Sequence, residues 1–129
     1  MYLLSLHEDR SLIEASLGGR VTADEVSVLL DEIDEIVDQF ESQGFSLLID
    51  HSLAKTMDQH ARAQLADLKD ACLSRGAMKI VTVVASDEEV ARNVNERFHW
   101  AMEGREQYVL DSSRIEWPAT KVARTSLAA

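Results

Sequence analysis

The sequence predicts an α/β domain, a single mixed sheet of about five strands in the order β-β-α-β-α-β-α-β with helices packed on it. Three observations predict it. Two short apolar segments around a polar connection open the chain as a hairpin. From the second segment onward, strand-like runs alternate with amphipathic helical patterns. That alternation implies parallel neighbours joined by right-handed crossovers. A length of 129 residues holds one domain.

Residues 2–7 and 12–17 are the hairpin strands, joined by Glu8-Asp9-Arg10-Ser11. Gly18-Gly19 is expected to end the second strand. Thr22-Ala23-Asp24-Glu25 has the form of a capping box. Behind it Val26, Leu29, Leu30, Ile33, Ile36, Val37 and Phe40 recur at helical spacing, and Gly44 stops the helix. Residues 45–50 form a nearly continuous apolar run that suits a strand buried on both faces. Residues 51–57 read as a loop. A second helix spans about 58–75, with Ala61, Leu65, Leu68 and Cys72 as its narrow apolar stripe. Residues 78–85 are the strongest strand, dominated by β-branched side chains. Ser86-Asp87-Glu88-Glu89 is a second capping box, opening a helix to about Glu103 before Gly104. Residues 107–110 make a last short strand. The domain thus covers residues 1–111, and 112–129 form a C-terminal tail, partly packed and then frayed.

The formal net charge is −10, which disfavours nucleic acid and anionic membrane surfaces as partners. All of the imbalance lies in residues 1–54, with 12 acids against Arg10 and Arg20. No Lys or Arg occurs between Val21 and Ala54. Such a field steers basic partners, although a solvated helix face explains it as well. No apolar run approaches ~18 residues, so no membrane span is expected. The N-terminus lacks a basic region, and the chain reads as cytoplasmic. The single cysteine, Cys72, excludes an internal disulfide framework.

Little in the chain points to catalysis. The turn after the second strand lacks the third glycine of a dinucleotide fingerprint, and no phosphate-loop ending exists. No cofactor is expected. Asp50, His51, Asp58 and His60 cluster around one loop, but no two histidines have helical ligand spacing, so no metal is expected. Asp50, His51 and Ser52 contain the residue types of a hydrolase, without an elbow motif or oxyanion hole. Cys72 lies on an apolar stripe, where its thiol is inert. Strand C-terminal ends are where open α/β sheets place sites, which singles out Asp50-His51-Ser52 and Ala85-Ser86-Asp87. Trp100 falls on the polar face of the third helix at 100° per residue. It is either an interface anchor or covered by a tail containing Ile115 and Trp117.

Leu17-Gly18-Gly19-Arg20-Val21-Thr22, Leu47-Leu48-Ile49-Asp50 and Thr56-Met57-Asp58, in this order, resemble the STAS family of anti-sigma-factor-antagonist-like domains, and among them the stand-alone bacterial branch similar to the sporulation antagonist. Leu17-Gly18-Gly19-Arg20-Val21-Thr22 looks like the family's strand–Gly–Arg–hydrophobic–Thr approach to its first helix. Leu47-Leu48-Ile49-Asp50 looks like its central strand ending in aspartate, and Thr56-Met57-Asp58 like the approach to its second helix. The resemblance covers residues 1 to about 111. It implies a STAS-like fold and a non-enzymatic regulatory module that binds a protein partner. In phosphorylated members a serine follows the aspartate that opens the second helix; here Gln59 and His60 follow Asp58. The implied partner surface is Asp58, Gln59 and His60 with the preceding segment, including Asp50, His51, Ser52 and Thr56. The alternative is a sensor or carrier of a small apolar ligand or lipid on the same fold. Homodimerisation through Trp100 or a sheet edge is a further reading.

Overall fold

The computed structural model describes residues 1–40 and 44–118. β1 (Tyr2–His7) and β2 (Leu12–Val21) form the expected antiparallel hairpin, with Tyr2 opposite Leu17 and His7 opposite Leu12. A 3-10 turn over Glu8–Arg10 joins them, and Ser11 closes it in the left-handed region at φ 47°. The buried Ser11 accepts the Ser46 amide at 2.9 Å on its carbonyl, tying the hairpin to the next strand.

α1 (Ala23–Phe40), β3 (Phe45–Met57), α2 (Gln59–Ser74), β4 (Ala77–Val83), α3 (Asp87–Glu96), α4 (Phe98–Met102) and β5 (Glu106–Val109) follow. The sheet order is β1-β2-β3-β4-β5, and every pair after the first is parallel. The architecture is α/β with one mixed five-stranded sheet. Each strand is laid beside its predecessor, so right-handed crossovers send every connecting helix to the same side. The burial pattern agrees. Ile13, Ala15, Leu17, Leu47, Ile49 and Ile80 belong to one core with α1 and α2. Leu12, Leu48, Val81 and Val83 form a separate cluster on the other face. Among the described residues, the partly buried hydrophobics packed against that cluster are Val109, Ile115 and Trp117, and no helix residue joins it.

The helices begin as the sequence indicates. The Glu25 amide donates to the Thr22 hydroxyl at 3.2 Å, and the Glu89 amide to the Ser86 hydroxyl at 3.2 Å. Glu89 reaches back to the Ala85 amide (3.2 Å), one residue beyond the usual capping-box target. Gly44, at φ 81°, turns the chain into β3, and a Cβ there would lie 2.8 Å from the Met78 sulfur. Arg75 clamps α1 to the end of α2 by pairing with Asp34 (2.8 Å) and Asp38.

Four expectations are corrected. Gly18-Gly19 does not end β2; the strand continues to Val21, with register shifts on either side of the glycines and Gly19 at φ 66°. Residues 51–57 are not a loop but the second half of β3, paired with that extension: Gly18 faces Leu53 and Val21 faces Met57. β4 pairs only as far as Asp50 opposite Val83, so the extensions form a two-stranded arm beyond the sheet. Bulges explain why alternation fails there, since an inserted residue resets which face a side chain takes. The third helix is broken at Arg97 (φ −116°, ψ 32°). The break resets the helical frame, so Phe98 is 59% exposed while Trp100 is half-buried against the helix-side core. Ile115 and Trp117 lie on the opposite face, so they do not cover Trp100. The frayed end expected for the tail, about residues 120–129, lies outside the described residues.

Neighbouring positions on α1 test this layering. Leu29 is fully buried, and Leu29→Ala is expected to cost about 3 kcal/mol in urea unfolding. Val28 is half exposed, and Val28→Ala is expected to change stability by less than about 0.5 kcal/mol.

Candidate functional site

β3 carries the chain past the end of β4, and alternation along it separates the residues that the sequence grouped. Asp50 lines a groove on the uncovered sheet face. Ser52 turns back to it: its amide and hydroxyl donate to the same Asp50 carboxylate oxygen at 2.9 and 2.6 Å. His51 points the other way and is buried on the helix side. Asp50, His51 and Ser52 therefore form no proton relay, because the serine hydroxyl is bonded to the aspartate rather than to the imidazole. Thr56, Asp58, Gln59 and His60 are exposed at the tip of the arm and the first turn of α2. Asp58 is the N-cap there, accepting the Ala61 amide at 2.8 Å. Among the described residues no group of three or more His, Cys, Asp or Glu side chains is placed to hold a metal ion.

The groove beside Asp50 is apolar and has a volume of about 350 Å³. Tyr2, Leu3, Leu17, Gly18 and Leu53 line it. Leu3 is 68% and Leu53 79% exposed, an unusual state for leucines this close together. The groove is open because, among the described residues, no helix lies over this face, and the arm extends its wall beyond β4.

On the helix side, His51 lines two small cavities. One, of about 40 Å³, lies between α2 and α3 and is bounded by Arg62, Lys69, Asn93 and Arg97. The other, of about 80 Å³, is polar and reaches Lys55 and Glu89. Below the first lies a buried polar network that sequence reasoning missed. Lys69 donates to the Tyr108 hydroxyl (3.1 Å) and sits 4.7 Å from the centre of that ring. Tyr108 donates to Glu106 (2.7 Å), and Arg97 binds both Glu106 oxygens and Asp70 (2.7 Å). Lys69 and Glu106 are almost fully buried. The signal for Lys69 was its spacing, four residues after Leu65 and three before Cys72, on the apolar stripe.

Burial is the main force on these groups. It lowers His51 to about 4, helped by the nearby Lys69 charge. Burial lowers Lys69 to about 8, against the pull of Glu106. For Arg97, burial acts downward, but hydrogen bonds to Glu106 and Asp70 outweigh it and hold the guanidinium charged. Burial and the bond to Glu106 keep the Tyr108 phenol protonated. Burial pushes the Cys72 thiol up to about 12, which leaves it inert. Chemically, the cavity wall offers a neutral imidazole and a shielded amine, already engaged by a tyrosine. The groove on the other face offers apolar contact area and one carboxylate.

Neither the family models nor the curated proteins searched match this chain. No helix of the described residues is long and apolar enough to cross a membrane.

The two lowered groups give a pH signature. Between about 4 and 6.5 the unfolded chain binds the His51 proton and the folded one does not, so stability falls as pH drops through that window. The loss attributable to His51 is about 3 kcal/mol, and His51→Asn is expected to remove it from urea titrations across that range. Lys69 acts in the same direction higher up. Its folded value is below its ordinary 10.5, so stability rises as pH increases from about 8. Lys69→Met is expected to flatten that upper limb, read by urea unfolding between about pH 7.5 and 9.5.

Proposed function

We propose that the chain is a non-enzymatic regulatory module that binds a protein partner, resembling the anti-sigma-factor antagonists of the STAS family. The observation that carries this reading is the apolar groove on the uncovered sheet face, with exposed Leu3 and Leu53 at its rim. Beyond Leu53 the exposed polar run Thr56, Asp58, Gln59 and His60 continues the same end of the molecule. An apolar patch beside exposed polar groups is the composition of a protein interface.

The family resemblance gains support from two features. The strand after α1 leads through an aspartate into an arm that ends at the N-cap of α2. The strands follow one another in sequence order across the sheet, with helices on one side. Gln59 occupies the position where phosphorylated members carry serine, so the surface is read as permanently competent rather than switched by phosphate. In this reading the bacterial cytoplasm is the working compartment.

A second reading keeps the groove and changes its occupant. The exposed Leu3 and Leu53 would suit a small apolar ligand, with Asp50 and Ser16 beside its polar end.

One comparison separates them. The tagged chain is used for capture from its native lysate beside Leu53→Asp and Gln59→Glu, two substitutions at exposed positions. A stoichiometric protein retained by the parent chain and lost at least about tenfold from both variants, with unchanged melting temperatures, is expected. Retention of a small apolar molecule alone, lost in Leu53→Asp, would replace the first reading by the second.

A further inference from the structure

β1 is an edge strand, and its sequence does nothing to guard that edge. Edges are usually blunted by lysine, proline, a bulge or a covering segment. Residues 2–7 read Tyr-Leu-Leu-Ser-Leu-His, and their register with β2 runs without a shift from Tyr2 to His7. Among the described residues no strand pairs with the outer side of β1.

The ladder determines which groups are free. Met1 and Gly18 exchange both backbone hydrogen bonds, at 2.9 and 3.2 Å. In an antiparallel pair such positions alternate with ones whose amides and carbonyls turn away. Leu3, Ser5 and His7 therefore bond to β2. Tyr2, Leu4 and Leu6 direct three amides and three carbonyls outward.

The flanks of this edge have a definite chemistry. On the helix side, Glu32 of α1 accepts the Tyr2 hydroxyl at 2.6 Å, and one turn earlier Val28 is 51% exposed. On the open side, Leu3 is 68% exposed. The surrounding stretch from Val21 to Ala54 has no Lys or Arg of its own; Arg75 pairs with Asp34 and Asp38 and the Met1 ammonium with Glu25, whereas Glu32 meets the neutral Tyr2 hydroxyl.

We propose that β1 accepts an extended segment of a partner protein as a sixth strand, and that this segment alternates apolar residues with Lys or Arg. Backbone pairing to Tyr2, Leu4 and Leu6 holds the strand. On the open side its apolar side chains cover Leu3, and on the helix side its cations meet Glu32 and the α1 field, their stems lying over Val28. A second copy of this chain is a poorer occupant, because a two-fold axis at β1 brings two acidic α1 faces together. The inference rests on the interaction-module reading; it shares Leu3 with the groove and does not use the first turn of α2.

The test pans two displayed libraries of eight-residue segments against the full chain. Both alternate apolar positions with charged ones, Lys or Arg in the first and Asp or Glu in the second. Enrichment of the basic library alone is expected. The best basic peptide, made synthetically, is expected to slow amide exchange at Tyr2, Leu4 and Leu6 at least about tenfold. N-methylating the amides along one edge of that peptide is expected to weaken it at least about tenfold, and along the other edge to leave it unchanged. This keeps the domain itself unaltered. Enrichment of neither library, equal enrichment of both, protection away from β1, or indifference to N-methylation would overturn the proposal. So would a dimer of the chain in which these three amides are already protected. Gln59→Glu is expected to leave peptide binding unchanged, so failure at the α2 surface and failure at β1 are read separately.

Discussion

Handed crossovers are the constraint on which the rest of the structure depends. A strand laid always beside its predecessor, with each connection right-handed, sends α1, α2 and α3 to one side. One sheet face is therefore sealed and the other is left to the sheet itself. On the sealed side the chain builds its core from Ile13, Leu47 and Ile49 against Leu29, Ile33 and Leu68. On the other, Leu12, Leu48, Val81 and Val83 pack, among the described residues, with Val109, Ile115 and Trp117. The groove beside Asp50 lies where these three do not reach.

The sealed side carries a different burden. Packing α2 and α3 against β5 buries Lys69, Glu106 and Tyr108 together with much of Arg97. Such a network is tolerated because each charge meets an opposite charge or a hydroxyl. Two cations face two carboxylates, and Tyr108 bridges Lys69 to Glu106. The same burial leaves His51 neutral at the mouth of the cavity. These are properties of packing between elements distant in sequence, which explains why no short motif announced them.

The sequence disclosed what local periodicity controls. The hairpin, the capped starts of α1 and α3 and the alternation behind the parallel order were all legible, because each is written within a few residues. The arm was not. Residues 51–57 contain His, Ser, Lys and Thr where a strand would show alternation, and their pairing with Gly18–Val21 depends on bulges set by the partner strand. The break at Arg97 was equally hidden, since the residue leaves the helical frame to bind Glu106 and Asp70 rather than for any reason of its own propensity. For the candidate site, Asp50 marks the last position paired with β4 and not the end of its strand. The opposite directions of Asp50 and His51 were not legible, because strand alternation replaced the loop that the sequence suggested.

The two tryptophans, one on each side of the sheet, turn this asymmetry into a spectroscopic property. Trp100 packs against the helix-side core under the Arg105 guanidinium, 5.6 Å from its ring centre, whereas Trp117 rests on the cluster of the uncovered face. They are the only indoles in the chain. With either one replaced by phenylalanine, the remaining emission reports a single layer. Loosening of the helix layer and peeling of the tail from the sheet thereby become separable optical events within one small domain.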